Sequence, residues 1–138
     1  MKDEPFQILL VEDNDADVYL LRKAFEAAAL NFELTVIDDG RDAINYVQRG
    51  GEWEALPDLA ILDMNLPKND GPEVLRALRN VKEFSKLPVI VFSSLWSPSD
   101  KLKIESFDVA RCLNKPLNLE EFLQMGTMVS DLLRRMKE

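Results

Sequence analysis

The chain has 138 residues, which is about one domain and enough to bury a sizeable core. Its formal net charge is −8 without any basic tract, which argues against direct binding to nucleic acid. It has no histidine, which excludes a Ser-His-Asp or Cys-His catalytic site, a His-ligated zinc site and a phosphohistidine carrier. A single cysteine excludes an internal disulfide and favours a cytoplasmic location, and no apolar run reaches the ~20 residues that cross a membrane.

The first part of the chain alternates predicted strands with predicted helices. Residues 8–11 form a short apolar run, and apolar residues at helical spacing then predict a helix over about residues 16–30. Residues 32–37 alternate apolar with polar side chains, which is typical of an edge strand with one exposed face. After a turn at Gly40, apolar residues at helical spacing predict a second helix that ends at the glycines of positions 50–51.

The second part begins with a near-continuous apolar run at residues 59–62, which is typical of a strand buried on both faces. The remaining predicted elements are helix, strand, helix, strand and helix, at about residues 71–81, 89–92, 98–107, 109–113 and 118–137. Ser97 with Pro98 is a typical helix start, and Asn118 with Glu121 resembles a capping box.

This order of strand and helix, repeated five times, requires parallel strands joined by right-handed crossovers. We therefore predict an α/β fold of the flavodoxin-like (βα)5 type, a doubly wound sheet with strand order 2-1-3-4-5 and helices on both faces. No linker or change of composition indicates a second domain, so residues 1–138 are expected to form a single domain without an output domain.

Polar residues at the strand ends define a candidate site: Glu12 and Asp13, Asp63, Ser93, and Lys115. One acid at a strand end is more often a solvated loop residue, but parallel strands in the predicted order bring all these ends to one edge. Three carboxylates repel one another unless a cation joins them, and Mg²⁺ prefers oxygen ligands. A lysine and a serine suit phosphate oxygens, so we predict that Asp63 accepts a phosphoryl group as an acyl phosphate.

The same residues carry a family resemblance. Four stretches resemble the receiver domain of two-component response regulators, in order and spacing across essentially the whole chain: residues 10–14 (LVEDN), 62–71 (LDMNLPKNDG), 87–94 (LPVIVFSS) and 114–116 (NKP). Residues 50–54 (GGEWE) resemble the small single-domain regulators that are paired with bacterial phytochrome kinases.

The resemblance implies how the acidic residues would act. Asp63 would receive its phosphoryl group from a sensor histidine kinase, which the narrower resemblance identifies as a bacterial phytochrome. Glu12, Asp13 and Asp63 would hold Mg²⁺ together with the backbone carbonyl of Asn65. The phosphorylated form would bind a target protein or pass the phosphoryl group to a separate histidine phosphotransfer protein.

The resemblance also implies a switch. Ser93 would hydrogen-bond the phosphoryl group, Lys115 would form an ion pair with it, and the Lys115–Pro116 peptide bond would be cis. Family members usually carry an aromatic residue three positions before the lysine, where this chain has Cys112. We expect Cys112 to be a small buried apolar residue rather than a redox sensor, and its presence argues against the usual hydroxyl–aromatic switch.

The last predicted helix carries more apolar residues than one core-facing stripe needs: Leu119, Phe122, Leu123, Met125, Met128, Val129, Leu132, Leu133 and Met136. This stripe predicts a homodimer through the fourth or fifth helix, and a deeply covered helix is the alternative. Trp96 follows the proposed site, where it would sense phosphorylation, contact a partner or act as a packed loop anchor. Trp53 is an unexpected aromatic residue in a loop rich in Gly and Glu.

Two other functions fit part of the pattern. An aspartyl-phosphate phosphohydrolase also uses Mg²⁺ and an Asp nucleophile, but it usually needs a second acid two residues later, where this chain has Asn65. A scaffold of receiver shape that needs no phosphorylation would be favoured if the acids or Lys115 were missing, and all of them are present.

Overall fold

The computed structural model describes residues 4–49 and 55–137. Their five strands form one parallel sheet in the order β2-β1-β3-β4-β5, so the predicted topology is confirmed. The strands are β1 (Phe6–Val11), β2 (Phe32–Ile37), β3 (Leu59–Asp63), β4 (Val89–Ser93) and β5 (Arg111–Asn114). The α-helices are α1 (Asp15–Ala27), α2 (Gly40–Gln48), α3 (Gly71–Asn80), α4 (Pro98–Ile104) and α5 (Leu119–Met136).

None of the helices in the described ranges has the length and apolarity that a membrane span requires.

Several helices differ slightly in length from the prediction, for local reasons. α1 ends at Ala27 because the chain turns there and Ala29 takes a left-handed conformation with φ of 56°. α4 has only 7 residues and passes into a short 3-10 turn, which Asp108 ends with φ of 55°. The Asn118 side chain accepts the N–H of Glu121 as predicted, whereas Glu121 accepts the N–H of Leu117 rather than that of Asn118.

The sheet separates two apolar cores. Alternate residues of the strands pack with α1 and α5 on one face and with α2, α3 and α4 on the other. β3 is buried along its whole length, as the apolar run before Asp63 predicted, and so is β4. Because Asp63 pairs in register with Phe92 of β4, the sheet fixes the backbone that carries its carboxylate.

Arg79, near the end of α3, links two connecting segments at the edge of the sheet where the strands begin, opposite the edge that carries the candidate site. Its guanidinium group donates hydrogen bonds of 2.8 to 3.3 Å to five backbone carbonyls, those of Phe84, Ser85, Leu87, Phe107 and Asp108. These carbonyls belong to the turns that enter β4 and β5. Arg79 therefore holds the starts of both strands against α3.

We expect Arg79→Met to lower the free energy of unfolding by about 2 kcal/mol, because several part-buried carbonyls lose their hydrogen-bond donor. Urea denaturation followed by circular dichroism measures the change. Lys82→Met removes one positive charge from an exposed position nearby and serves as the control, with an expected change below about 0.5 kcal/mol. Equal effects of the two substitutions would contradict this role of Arg79.

Candidate functional site

The carboxyl ends of the central strands bring the predicted acids together. Carboxylate oxygens of Glu12, Asp13 and Asp63 all lie within 4.8 Å of one another. Glu12 and Asp63 are buried, with 1% and 4% of their surface exposed, whereas Asp13 is exposed. The cluster therefore has a buried floor and one acid that faces solvent.

Lys115, which follows β5, extends its side chain into this cluster. Its Nζ atom lies 3.0 Å from Glu12 Oε1, 2.9 Å from Asp17 Oδ2 and 3.2 Å from Asp63 Oδ2. Burial lowers the pKa of Lys115, but the interactions with Asp17 and Glu12 raise it by more. The net effect is a pKa well above the ordinary value of a lysine. Lys115 is therefore charged at neutral pH and offsets part of the acidic cluster.

Asp17 is a site residue that the sequence analysis missed. It lies in the first turn of α1, and its backbone N–H donates to the side chain of Asn14, the N-cap of that helix. The prediction considered only residues at strand ends. Asp17 could have been identified from its position, because it is an acid in the first turn of the helix that follows β1. That turn lies at the same edge of the sheet as the strand ends.

Two different groups hold the carboxylate of Asp63. Its Oδ1 atom accepts the backbone N–H of Asn65 at 3.0 Å, and its Oδ2 atom accepts a hydrogen bond from Lys115 Nζ at 3.2 Å. Because both oxygens have partners and the strand backbone is fixed, the position and the orientation of this carboxylate are well defined.

Ser93 is buried at the end of β4, next to Asp63 in the sheet. Its hydroxyl group donates to the backbone carbonyl of Leu95 at 3.2 Å and accepts the backbone N–H of Leu95 at 3.3 Å. It also accepts a hydrogen bond from Asn65 Nδ2 at 3.3 Å. Asn65 therefore contacts Asp63 through its backbone and Ser93 through its side chain.

The Glu12 carboxylate is poorly compensated in this arrangement. Its Oε1 atom has Lys115 Nζ 3.0 Å away, but in the described part of the chain no group meets it in hydrogen-bonding geometry. Burial raises the pKa of Glu12 to about 7 and the charge of Asp63 adds to the effect, while Lys115 and the N–H of Asn14 oppose it. A buried oxygen without a donor, beside two more carboxylates, fits a hard divalent cation.

We expect the metal-free protein to lose stability as the pH rises from about 5 to about 8, by about 2 kcal/mol from Glu12. The pKa of Glu12 is raised in the folded state from 4.5 to about 7, so the folded state binds the proton more tightly. Its contribution to stability is therefore complete below about 4.5 and is lost as the pH passes through about 7.

Urea denaturation at several pH values, with a chelator present, measures this dependence. Glu12→Gln should flatten it, whereas Glu83→Gln, at an exposed position, should leave it as in the unmodified protein. Saturating Mg²⁺ should restore stability at high pH, because the cation binds the deprotonated carboxylate. A pH dependence that Glu12→Gln leaves unchanged would refute the assignment.

Two predictions about the β5 region are wrong. No peptide bond in the described ranges is cis, so the Lys115–Pro116 bond is trans, the isomer that X-Pro bonds intrinsically favour. Cys112 is exposed rather than buried. β5 is the last strand of the sheet, and the short helix α4 leaves much of that strand uncovered.

The aromatic and apolar side chains near the site bear on two of the open alternatives. Trp96 is a packed anchor, since its indole N–H donates to the carbonyl of Leu113 at 2.7 Å and its ring packs against the core. α5 is covered in part, because four of its apolar side chains are buried whereas Leu119 and Leu123 are 55% and 37% exposed. The stretch 50–54, which includes Trp53, lies outside the described residues.

Comparison with known proteins identifies the family. The sequence profile of the response regulator receiver domain matches residues 8–126. The chain belongs to this family. The receiver domain is thus a signalling module of the two-component type, which confirms the function that the family resemblance implied.

Individual proteins that resemble the chain are also response regulators. The receiver domain is 35% identical to Response regulator Rcp1 of Synechocystis sp., over 91% of this chain and 88% of the relative. The crystal structure of the phosphorylated cyanobacterial phytochrome response regulator RcpA superposes with a TM-score of 0.85 at 30% identity, covering 96% of each chain. The Mn²⁺-bound form of Rcp1 superposes with a TM-score of 0.79 at 33% identity, covering 91% of each chain.

Proposed function

We propose that this receiver domain accepts a phosphoryl group on Asp63 from the phosphohistidine of a sensor histidine kinase. The observation that carries the proposal is the pair of contacts on the Asp63 carboxylate, one from the Asn65 N–H and one from Lys115. They aim a buried carboxylate at the edge of the sheet where Glu12 and Asp13 also converge.

In the transfer, a carboxylate oxygen of Asp63 forms a bond to phosphorus while the phosphorus–nitrogen bond of the donor breaks, and the electron pair leaves with the imidazole nitrogen. These 138 residues contain no histidine, so the donor lies outside them. Lys115 supplies a fixed positive charge beside the reacting carboxylate. Its ammonium group then pairs with the phosphoryl oxygens as the charge on Asp63 is lost.

The metal we propose is Mg²⁺, held by the carboxylates of Glu12, Asp13 and Asp63 and the backbone carbonyl of Asn65. The Mn²⁺-bound form of Rcp1 supports a divalent cation in a similar receiver. When bound, such a cation neutralises charge that develops on the phosphoryl oxygens. The same residues are proposed to promote the phosphorylation of Asp63 and its later hydrolysis, without turnover of external substrates.

Phosphorylation changes the partners of Ser93. The hydroxyl group that now bonds Leu95 and the side chain of Asn65 is proposed to turn to a phosphoryl oxygen. Leu95 is 80% exposed, so the loop that Ser93 releases lies at the surface. The output is a changed surface for protein binding, without the aromatic switch residue that Cys112 replaces.

Mass spectrometry after incubation with Mg²⁺ and acetyl phosphate tests the proposal. The unmodified protein should gain one labile phosphoryl group, and Asp63→Asn should gain none. Asp38→Asn serves as the control, because Asp38 belongs to a second, separate acidic cluster with Asp39 and Asp42. Unmodified protein without label, or equal labelling of Asp63→Asn, would refute the proposal.

The kinase partner is proposed to be a bacterial phytochrome. RcpA is a phytochrome response regulator whose structure covers 96% of this chain, and this similarity supports such a partner. Phosphoryl transfer from purified phytochrome kinases should be much faster than transfer from kinases with other sensor domains. Similar rates from both groups would contradict this pairing, while leaving the phosphorylation of Asp63 intact.

A homodimer through the α4 and α5 faces is proposed for the signalling state. Leu102 on α4 is 67% exposed, Leu117 just before α5 is 83% exposed, and Leu119, the first residue of α5, is 55% exposed. Burying these side chains against a second copy would remove them from water. Light scattering with and without beryllofluoride, a phosphoryl mimic, measures the mass. A monomer in both conditions at all concentrations would refute the dimer.

The phosphorylated receiver domain is proposed to pass the signal to a target protein or to a histidine phosphotransfer protein.

A further inference from the structure

Three carboxylates surround the ammonium group of Lys115, and the closest of them is not a strand-end residue. Asp17 Oδ2 lies 2.9 Å from Nζ, compared with 3.0 Å for Glu12 and 3.2 Å for Asp63. An ammonium group has three N–H donors. With three carboxylates this close, a further anion must compete with them for the ammonium group of Lys115.

Asp17 is fixed in this position. Its backbone N–H is part of the α1 cap through Asn14 Oδ1 at 3.1 Å, and only 18% of its side chain is exposed. The charge of Asp63 is lost when an acyl phosphate forms, but the charge of Asp17 stays. The ion pair between Asp17 and Lys115 therefore persists in the phosphorylated state, in which Lys115 is proposed to pair with the phosphoryl group.

We infer that Asp17 is a positioning residue that competes with the phosphoryl group for Lys115 and so shortens the lifetime of the acyl phosphate on Asp63. The inference rests on the proposed phosphorylation of Asp63. Two effects act in the same direction. The ion pair with Asp17 draws Lys115 away from the phosphoryl oxygens, and the negative charge of Asp17 repels them.

Asp17→Asn tests the charge of Asp17 at nearly unchanged side-chain shape. The amide oxygen still accepts a hydrogen bond from Lys115 Nζ, while the negative charge is removed. Asp15→Asn is the matched control. It removes the same charge from the same first turn of α1, and in the described part of the chain Asp15 has no contact with Lys115. Effects on the helix dipole and on net charge are therefore shared by both variants.

Each variant is phosphorylated with acetyl phosphate and Mg²⁺, and the decay of the acyl phosphate is followed after removal of the donor. Asp17→Asn should lengthen the lifetime by about threefold to tenfold, whereas Asp15→Asn should change it by less than about twofold. Equal lifetimes of the two variants, in a protein that does become labelled, would overturn the inference alone. An unmodified protein that stays unlabelled would refute the phosphorylation of Asp63, and the inference with it.

Nuclear magnetic resonance of the Lys115 ammonium protons gives a readout that needs no phosphorylation. In the unphosphorylated protein, Asp17→Asn should speed the exchange of these protons with water, because the shortest ion pair is weakened. Asp15→Asn should leave the exchange unchanged. Unchanged exchange in Asp17→Asn would show that Asp17 does not hold Lys115 and would overturn the inference.

Discussion

Lys115→Met is expected to lower the free energy of unfolding by about 3 kcal/mol at about pH 8, because it leaves buried carboxylates without their cation. Glu12 and Asp63 are 1% and 4% exposed, and both lie within 3.2 Å of Lys115 Nζ. Methionine keeps the unbranched side chain and fills the same space. The loss therefore reports on charge rather than on packing.

The cost should shrink as the pH falls. Burial already raises the pKa of Glu12 to about 7, and the removal of Lys115 takes away an interaction that lowers this pKa. At about pH 5.5 the Glu12 of the variant is therefore protonated, and its uncompensated charge disappears. Urea denaturation at both pH values measures the difference. An equal loss at both would contradict this explanation.

Lys68→Met is the matched control for Lys115→Met. Lys68 Nζ lies 3.3 Å from Asp39 Oδ2, but 51% of the Lys68 side chain is exposed. A solvent-exposed ion pair contributes little, so we expect a change below about 1 kcal/mol and a weak dependence on pH. The two variants together test whether burial of the acids, rather than the presence of an ion pair, makes Lys115 important for stability.

The residues at the strand ends were predictable because the topology places them. Once the alternation of strands and helices indicated a parallel sheet, the ends of β1, β3, β4 and β5 had to meet at one edge. No knowledge of side-chain packing was needed for Asp63 or Lys115. The same reasoning could not place Asp17, because its position depends on the turn between β1 and α1 and on the capping by Asn14.

Features set by the length of an element, or by contacts between distant segments, were not predictable in this way. Cys112 is exposed on the edge strand β5, beside the 7-residue helix α4, and no apolar pattern in β5 itself reveals that. In the sequence, Arg79 is one more charged residue near the end of a helix. Its five carbonyl partners come together only after the turns before β4 and β5 have folded against α3.

The reason for a glycine at position 40 also depends on a contact between distant segments. The sequence places it in a turn, but its φ is not positive, so backbone freedom is not the reason for glycine. Gly40 begins α2 and lies against the loop that joins Asp63 to α3. A Cβ atom at this position would overlap the backbone carbonyl of Asn69, and the Gly40 N–H donates to the carbonyl of Pro67 at 3.2 Å.

We expect Gly40→Ala to lower the free energy of unfolding by about 3 kcal/mol, since a backbone segment must move to admit the methyl group. Arg41→Ala, at the next and exposed position of α2, is the control, with an expected change below about 0.5 kcal/mol. Urea denaturation measures both. An unchanged free energy of unfolding in Gly40→Ala would contradict this prediction, because it would show that the loop moves aside without destabilising the protein.

The displaced loop should also affect phosphorylation. It carries Asn65, whose N–H holds Asp63 Oδ1, so a shift of the loop misplaces the carboxylate. Labelling of folded Gly40→Ala by acetyl phosphate should therefore be slower than in the unmodified protein.

Lys68, in the same loop, has a left-handed φ of 67°, which glycine adopts without strain. Adding Lys68→Gly should therefore let the loop move at lower cost and restore part of the stability lost in Gly40→Ala, but not the rate of labelling, because Asn65 stays displaced.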